Sequence, residues 1–95
     1  MRVVWTIPAN RNREAIISFI EQDNPLAAIE MDVLFTKAAD SLSTLPLQGR
    51  KGRVAGTREL IVHRNYILVY SYDIKTEKIY ITTVLHALRQ YPPII

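Results

Sequence analysis

A β-hairpin predicted over residues 56–72 constrains this chain more than any other stretch. The sequence GTRELIVHRNYILVYSY contains two runs that alternate with a period of two, as residues do on the two faces of a strand. One predicted face carries Leu60, Val62, Tyr66, Leu68, Tyr70 and Tyr72. The pair Arg64-Asn65 separates the runs, and asparagine tolerates the dihedral angles of a short connection. We therefore predict two antiparallel strands around which the rest of the chain is organised.

Two helices are predicted before this hairpin. A short apolar run at residues 2–6 predicts a strand, and Pro8 suits the first turn of a helix that continues over residues 9–22. Its apolar positions are Ile16, Ile17, Phe19 and Ile20, while Asn10, Arg11, Arg13 and Glu21 are expected to face water. The sequence Asp-Asn-Pro at residues 23–25 ends this helix and begins another, because asparagine caps helices well and proline fits a first turn.

The second helix shows the most regular apolar repeat in the chain. Apolar residues recur at steps of three and four at Ala28, Met31, Phe35, Ala38, Leu42 and Leu45. Two helices joined by so short a break form an antiparallel hairpin whose apolar faces need a sheet to cover. A coiled-coil seam is the alternative explanation of the repeat, and the strand-rich sequence that follows favours packing on a sheet.

The remaining chain supplies a loop and the rest of that sheet. Residues 45–56 contain three glycines and predict a loop with a short strand at residues 53–55. Residues 73–78 predict a turn, and residues 79–85 predict a last strand with Ile79, Ile81, Thr83 and Leu85 on one face. The sequence thus predicts an α+β fold with an N-terminal strand and an antiparallel two-helix hairpin packed on a small, mainly antiparallel sheet.

Composition places the chain among soluble globular proteins. Its 95 residues, 48% of them hydrophobic, are enough for one domain over residues 1–95 with its own core. Cysteine is absent, which excludes disulfides and thiolate metal sites and fits a reducing compartment. The N-terminal apolar run is too short for a signal peptide or a membrane span, so we expect a cytoplasmic protein with no membrane partner.

Charge is distributed unevenly along the chain. Residues 1–48 hold four basic and six acidic side chains, a net charge of −2, whereas residues 49–95 hold eight basic and three acidic, a net charge of +5. The half that contains the predicted sheet is therefore the basic half. Such asymmetry indicates a polyanion or an acidic protein as partner, although surplus lysine and arginine also serve solubility alone.

The residue types of an RNA-cleaving site are present in this basic half. Such a site needs a base, a cation for the phosphorane charge and an acid for the leaving oxygen. The candidates are Lys51, Arg58, His63, Arg64, His86, Arg89 and Tyr91. His86 directly follows the last predicted strand and shares a face with Arg89 if it begins a helical turn. Structural roles are the alternative, with His63 exposed beside the turn and His86 hydrogen-bonded at the strand end.

Other polar residues are candidates for binding a target or phosphate. Four of them, Arg50, Lys51, Arg53 and Arg58, lie in or just after the loop and are called the loop cations. The tyrosines Tyr66, Tyr70 and Tyr72 either stack on bases or cover the sheet beneath the helices. Glu59, which follows Arg58 and so points to the opposite face, is expected to form a structural ion pair with an arginine elsewhere. We predict no metal and no cofactor, because neither a ligand cluster nor a P-loop is present.

The whole pattern resembles the RelE/ParE superfamily, the toxins of bacterial type II toxin–antitoxin modules. The resemblance covers nearly the full chain and rests on VVWT, FIEQDNPLAA, GRKGRVAGTRELIV, NYILVYSYD and ITTVLHALRQYP, of which the last two are the specific segments. It implies a small α+β toxin neutralised by a cognate antitoxin whose C-terminal segment wraps the helices and sheet. It also implies that the pair represses its own operon, so that operator DNA is met only through the antitoxin complex.

The superfamily contains two activities, and the chain departs from one of them. Ribosome-dependent mRNA endonucleases of the RelE and YoeB type usually carry an arginine where Ile67 stands in NYILVY, and an aliphatic side chain cannot stabilise a phosphorane. Arg64 would have to substitute for it, beside His86, Arg89 and Tyr91 as further catalytic residues. ParE-like toxins, which act on DNA gyrase or other targets, lack this arginine and end in VLH-type sequences.

The resemblance therefore favours a ParE-like toxin that acts by binding a protein. A metal-independent mRNA interferase is the alternative, and an inactivated module that binds DNA or an antitoxin is a third possibility. Because the sheet half has a net charge of +5, we expect the antitoxin to be acidic and amphipathic, adding a strand to a sheet edge or a helix to a groove.

Overall fold

A computed structural model describes residues 1–88 of the chain. In this part, two helices and five strands follow in the order β1 Arg2–Trp5, α1 Ile7–Asp23, α2 Pro25–Ser41, β2 Arg50–Lys51, β3 Arg58–His63, β4 Tyr66–Asp73 and β5 Lys78–His86. All five strands form one sheet in the order β1-β5-β4-β3-β2. The strand β1 is parallel to β5, and the other pairs are antiparallel. The predicted α+β architecture is confirmed.

Two polar residues fix the ends of the helices. Thr6 accepts the Ala9 N–H at 3.4 Å and donates its own hydroxyl to the carbonyl oxygen of Ile81 at 2.7 Å, so the start of α1 is tied to β5. Asn24 donates its N–H to the Ile20 carbonyl at 2.8 Å and accepts the Ala27 N–H on its side chain at 3.1 Å. A single residue thus ends α1 and caps α2, as the Asn-Pro sequence predicts.

The main core lies between the helix hairpin and one face of the sheet. Helix α1 contacts β5 and helix α2 contacts β3. The fully buried core residues include Ala9, Phe35, Ala39, Leu42, Leu68, Tyr70, Ile79 and Ile81. The predicted apolar face of the hairpin is confirmed, because all six of its residues pack into this core. The three tyrosines among them therefore cover the sheet beneath the helices.

The helices differ from the prediction in three respects. Phe19 is 73% exposed and does not share the buried face of Ile16 and Ile20, and α2 ends at Ser41, which leaves Leu45 exposed beyond it. Arg13 does not face water: its guanidinium donates to Asp32 and to the Thr36 hydroxyl on α2 and lies over the Trp5 ring. Periodicity alone does not distinguish an arginine that links two helices from one that is solvated.

The short strand of the loop lies at Arg50–Lys51, so its predicted position at residues 53–55 was wrong. The register pairs Arg50 with Glu59 and Lys51 with Arg58. The chain then turns back, and the Gly52 N–H closes the turn by donating a hydrogen bond to the Thr57 carbonyl at 2.8 Å. Gly56 has a φ of +80° within this turn, a conformation that glycine adopts without strain.

A β-bulge changes the alternation of the last strand. Val69 pairs with Thr83 whereas Tyr70 pairs with Ile81, which leaves Thr82 as the extra residue, and its hydroxyl donates to the Val69 carbonyl at 3.2 Å. Beyond the bulge, Val84 returns to the helix-facing side and packs in the main core. Thr83 and Leu85 lie on the opposite face, paired with Val69 and Ile67, so the prediction that they share a face with Ile79 and Ile81 was wrong.

The buried Tyr70 side chain holds the connection between α2 and β2. Its hydroxyl donates to the Pro46 carbonyl at 2.7 Å and accepts the Gly49 N–H at 2.9 Å. A Cβ atom at residue 49 would lie 2.9 Å from this ring, so only glycine allows the approach.

Neither helix in residues 1–88 combines the length and apolar character needed to span a bilayer.

Candidate functional site

One end of the sheet brings together three of the polar residues singled out in the sequence. The ladder pairs His63 with Tyr66 and Tyr66 with His86, so the two histidines flank one tyrosine on neighbouring strands. Arg64 lies in the adjoining turn. The Asn65 carbonyl of this turn accepts the Ala87 N–H at 2.7 Å, directly after the end of β5. His63, Arg64 and His86 therefore share this end, whereas Arg89 and Tyr91 lie outside the described residues.

His86 makes structural contacts at this position. It is the last residue of β5 rather than the first of a helical turn, and its ring meets Tyr66 edge to face at 5.5 Å. Its Nδ1 accepts the Leu88 N–H at 3.1 Å. His86 therefore contacts the Tyr66 ring and the Leu88 backbone in the described part of the chain.

An open groove of about 590 Å³ adjoins His86 between α1 and the ends of β4 and β5. It is lined by Asn12, Ala15, Ile16, Phe19, Tyr66, Val84, His86 and Leu88. The side-chain oxygen of Asn12 accepts the Val84 N–H at 3.2 Å. This backbone group of β5 therefore has a hydrogen-bond partner beyond the end of β1. Sequence reasoning missed this groove, because Phe19 and Tyr66 both carry the apolar signature of core residues.

The opposite face of the sheet is apolar around Ile67, where the sequence resemblance to the nuclease toxins led us to look for a cation. Ile67, Val69 and Leu85 form a buried cluster, and Ala87 packs against it. Ile67 pairs with Leu85, whereas the neighbouring pair Tyr66–His86 faces the helices. Residue 67 and His86 therefore project from opposite faces of the sheet and do not converge on one site.

Two of the loop cations, Arg50 and Arg53, surround a buried carboxylate. Glu59 is only 2% exposed, and its carboxylate accepts Arg50 Nη2 at 3.2 Å, the Arg53 backbone N–H at 2.9 Å and Arg53 Nη2 at 3.1 Å. Burial raises the pKa of Glu59, but the hydrogen bonds from Arg53 and Arg50 outweigh it and hold the pKa below its ordinary value. The predicted structural ion pair of Glu59 is confirmed, and it involves two arginines.

The other two loop cations lie on the helix-facing side of the same strands. Lys51 stands opposite Arg58 in the ladder, and Arg58 Nη1 donates to the Gly49 carbonyl at 2.8 Å. Both side chains line a groove of about 460 Å³ together with Leu47, Gly52, Val54, Ala55, Gly56, Thr57, Tyr72 and Ile74. These described lining residues include no acid. The four cations thus divide into a pair that contacts Glu59 and a pair beside the groove.

The fold is shared with chains of two solved toxin–antitoxin systems. The chain superposes on a chain of the chromosomal ParDE system from P. aeruginosa with a TM-score of 0.80, 21% identity and coverage of 90% of this chain and 95% of that one. It superposes on a chain of the RelBE2 complex from Mycobacterium tuberculosis with a TM-score of 0.63, 24% identity and the same coverages. Each likeness establishes the fold.

Sequence comparison identifies the family. Residues 3–91 match the model of the ParE toxin of the type II toxin–antitoxin system parDE, and the chain belongs to this family. It is 37% identical to a protein named as toxin Y4kP from Sinorhizobium fredii, over 99% of this chain and 96% of that protein. It is 38% identical to toxin RelE2 from Caulobacter vibrioides, over 93% of this chain and 97% of that protein. The resemblance found in the sequence is confirmed.

Proposed function

We propose that this toxin arrests bacterial growth by binding a cellular protein, such as DNA gyrase, and not by cleaving RNA. The observation that carries the proposal is the apolar cluster around Ile67 on the sheet face away from the helices. A phosphorane intermediate needs a cation or a hydrogen-bond donor, and the side chains of Ile67, Val69 and Leu85 offer neither. The match of residues 3–91 to the ParE family supports the same activity.

The position of His86 adds to this argument. General base catalysis needs a free ring nitrogen within hydrogen-bond reach of the 2′-hydroxyl, and the Nδ1 of His86 already accepts the Leu88 N–H. His86 also lies on the face opposite Ile67, so a catalytic pair built on these two strand positions cannot act on one phosphate. Binding to a protein target requires neither group.

The proposal includes a cytoplasmic toxin held inactive by a cognate antitoxin. The solved relatives of the fold are components of toxin–antitoxin complexes, which supports an antitoxin as partner. The excess of positive charge in residues 49–95 favours an acidic antitoxin segment, and operator DNA is bound through the complex. The proposal also includes plasmid stabilisation as the role of the module.

The target is tested by expressing the chain without its antitoxin. A gyrase poison induces the DNA-damage response, and the purified toxin stalls supercoiling of a relaxed plasmid by gyrase. Normal supercoiling at a large molar excess of toxin, combined with growth arrest in cells, would rule out gyrase as the target. A neighbouring small open reading frame without an acidic C-terminal stretch would contradict the proposed antitoxin.

A ribosome-dependent mRNA endonuclease is the second candidate. The arrangement of His63, Arg64 and His86 at one end of the sheet favours it, as does the likeness to a protein named RelE2. Primer extension on ribosome-bound message should then show new cleavage sites, and the double variant His86→Ala with Arg89→Ala should lose both cleavage and toxicity. Unchanged toxicity in that variant excludes a nuclease site built on these residues.

A further inference from the structure

The register of the edge strand β2 places two like charges directly opposite each other. Lys51 pairs with Arg58, so their side chains leave the sheet on the same face, about 5 Å apart at Cβ. Like charges in this position destabilise a sheet, and no acidic residue lines the adjoining groove in the described part of the chain. On the other face, by contrast, Arg50 opposes Glu59. An anion from outside would relieve the repulsion between Lys51 and Arg58.

The guanidinium of Arg58 is already oriented to receive such an anion. Its Nη1 donates to the carbonyl oxygens of Gly49 at 2.8 Å and Leu47 at 3.4 Å, which fixes the plane of the group. Within residues 1–88, Nε and Nη2 of Arg58 make no hydrogen bond, and neither does the Tyr72 hydroxyl. A planar guanidinium with one free edge binds a carboxylate through two parallel hydrogen bonds, and little side-chain entropy is lost because the group is held beforehand.

The walls of the groove indicate what carries the anion. Leu47 and Ile74 line the groove and are 59% and 75% exposed, and Val54 lies between the glycines of the turn. Apolar side chains around a basic centre match a peptide in which a carboxylate is flanked by apolar residues. A nucleic acid strand would need a platform of aromatic rings, and Tyr72 is the one aromatic residue among the described lining residues.

We propose that this groove binds a partner segment in which an acidic residue lies between apolar residues, with Arg58 and Lys51 holding the carboxylate. The inference rests on the proposed antitoxin partnership for the source of the segment and goes beyond it in naming the site and its chemistry. Leu47 and Ile74 bury the apolar side chains of the segment, and Arg58 fixes its register. The groove beside His86 lies at the other end of the sheet and takes no part in this contact.

The test is an NMR titration of the labelled full-length chain with short blocked peptides. The probe is a pentapeptide of the pattern Leu-Glu-Leu-Asp-Ile, expected to bind with a dissociation constant on the order of 1 mM. We expect this peptide to change the chemical shifts of Leu47, Tyr72 and Ile74 and of the Nε–H of Arg58 in the protein. Its binding should weaken at higher salt. Three control ligands are titrated in the same way. In the first peptide the acidic residues are replaced by lysine, in the second the apolar residues are replaced by serine, and the third ligand is a thymidine hexanucleotide.

Matched variants identify the residues responsible. Lys51→Glu and Ile74→Ser should each weaken binding at least about fivefold, the scale of one ion pair or one small apolar contact. Lys37→Glu and Ile29→Ser change exposed residues of the same type on α2 and should leave binding unchanged. Shifts confined to the His86 groove or to α2, equal binding of a control peptide, or tighter binding of the oligonucleotide at Arg58 would each overturn the proposal.

Growth assays separate this inference from the proposed function. A chain that arrests growth but whose groove binds no acidic peptide refutes the groove assignment and leaves the toxin activity standing. A chain whose groove binds the peptide but which does not arrest growth refutes the proposed toxicity and leaves the groove assignment standing.

Discussion

The hydroxyl group of Tyr70 provides the most direct test of how this fold is held together. It accepts the Gly49 N–H and donates to the Pro46 carbonyl, so replacing Tyr70 with phenylalanine leaves two backbone groups without their partner while the ring stays in place. Gly49 is buried, and a buried polar group left unpaired costs about 1–3 kcal/mol. We expect Tyr70→Phe to lower the free energy of unfolding by about 2 kcal/mol.

Urea and thermal unfolding followed by circular dichroism measure this loss. For a chain of this size, a loss of 2 kcal/mol lowers Tm by roughly 8–16 °C. The matched control is Tyr72→Phe, because the Tyr72 hydroxyl makes no hydrogen bond within residues 1–88, and it should change stability by less than about 0.5 kcal/mol. Equal losses in the two variants, or a loss below about 0.5 kcal/mol in Tyr70→Phe, would refute the assignment of the hydroxyl as a brace for residues 46–49.

Three further predictions concern charged residues. Because the pKa of Glu59 is lowered in the folded state, its contribution to stability is present above the ordinary value of 4.5 and is lost as pH falls through the folded-state pKa. In urea unfolding at pH 7, Glu59→Gln should therefore be less stable than the parent by about 1–3 kcal/mol. This difference should shrink at pH 3. Arg13→Ala removes the bonds to Asp32 and Thr36 and the contact with the Trp5 ring, and should cost about 2 kcal/mol, whereas the exposed control Arg11→Ala should cost less than about 0.5 kcal/mol. Lys51→Gln removes the repulsion with Arg58 and should raise stability by about 0.2–1 kcal/mol; an unchanged or lowered Tm would mean that the two charges do not repel in solution.

The features of the fold that depend on local sequence were predictable. The hairpin follows from its period of two and its Arg64-Asn65 turn, and the helix break at Asn24 follows from capping chemistry that involves only neighbouring residues. The bulge at Thr82 was not predictable, because nothing in ITTVL distinguishes a strand with one extra residue from a regular one. The bulge depends on the pairing of β5 with β4.

The candidate site could be predicted only in part for the same reason. The loop cations and the histidines were identified by type, but their grouping depends on strand register. Register places Arg50 opposite Glu59, leaves Lys51 opposite Arg58, and turns His86 away from Ile67. A shift of one residue in the pairing of β2 would exchange these faces, and no local property of GRKGRVAG determines that pairing.

The pairing of β1 with β5 has a consequence for how the toxin comes to be folded in a cell. In the described part of the chain β1 has no strand neighbour except β5, and Arg2 pairs with Lys78 across most of the sequence. Because a strand cannot pair with residues that have not been synthesised, the sheet stays incomplete on the ribosome until residues 78–86 have emerged. Contacts of such long sequence separation also form slowly. The nascent chain therefore passes most of its synthesis without the completed sheet, and the two helices emerge before the strand that joins β1 to the rest of the sheet.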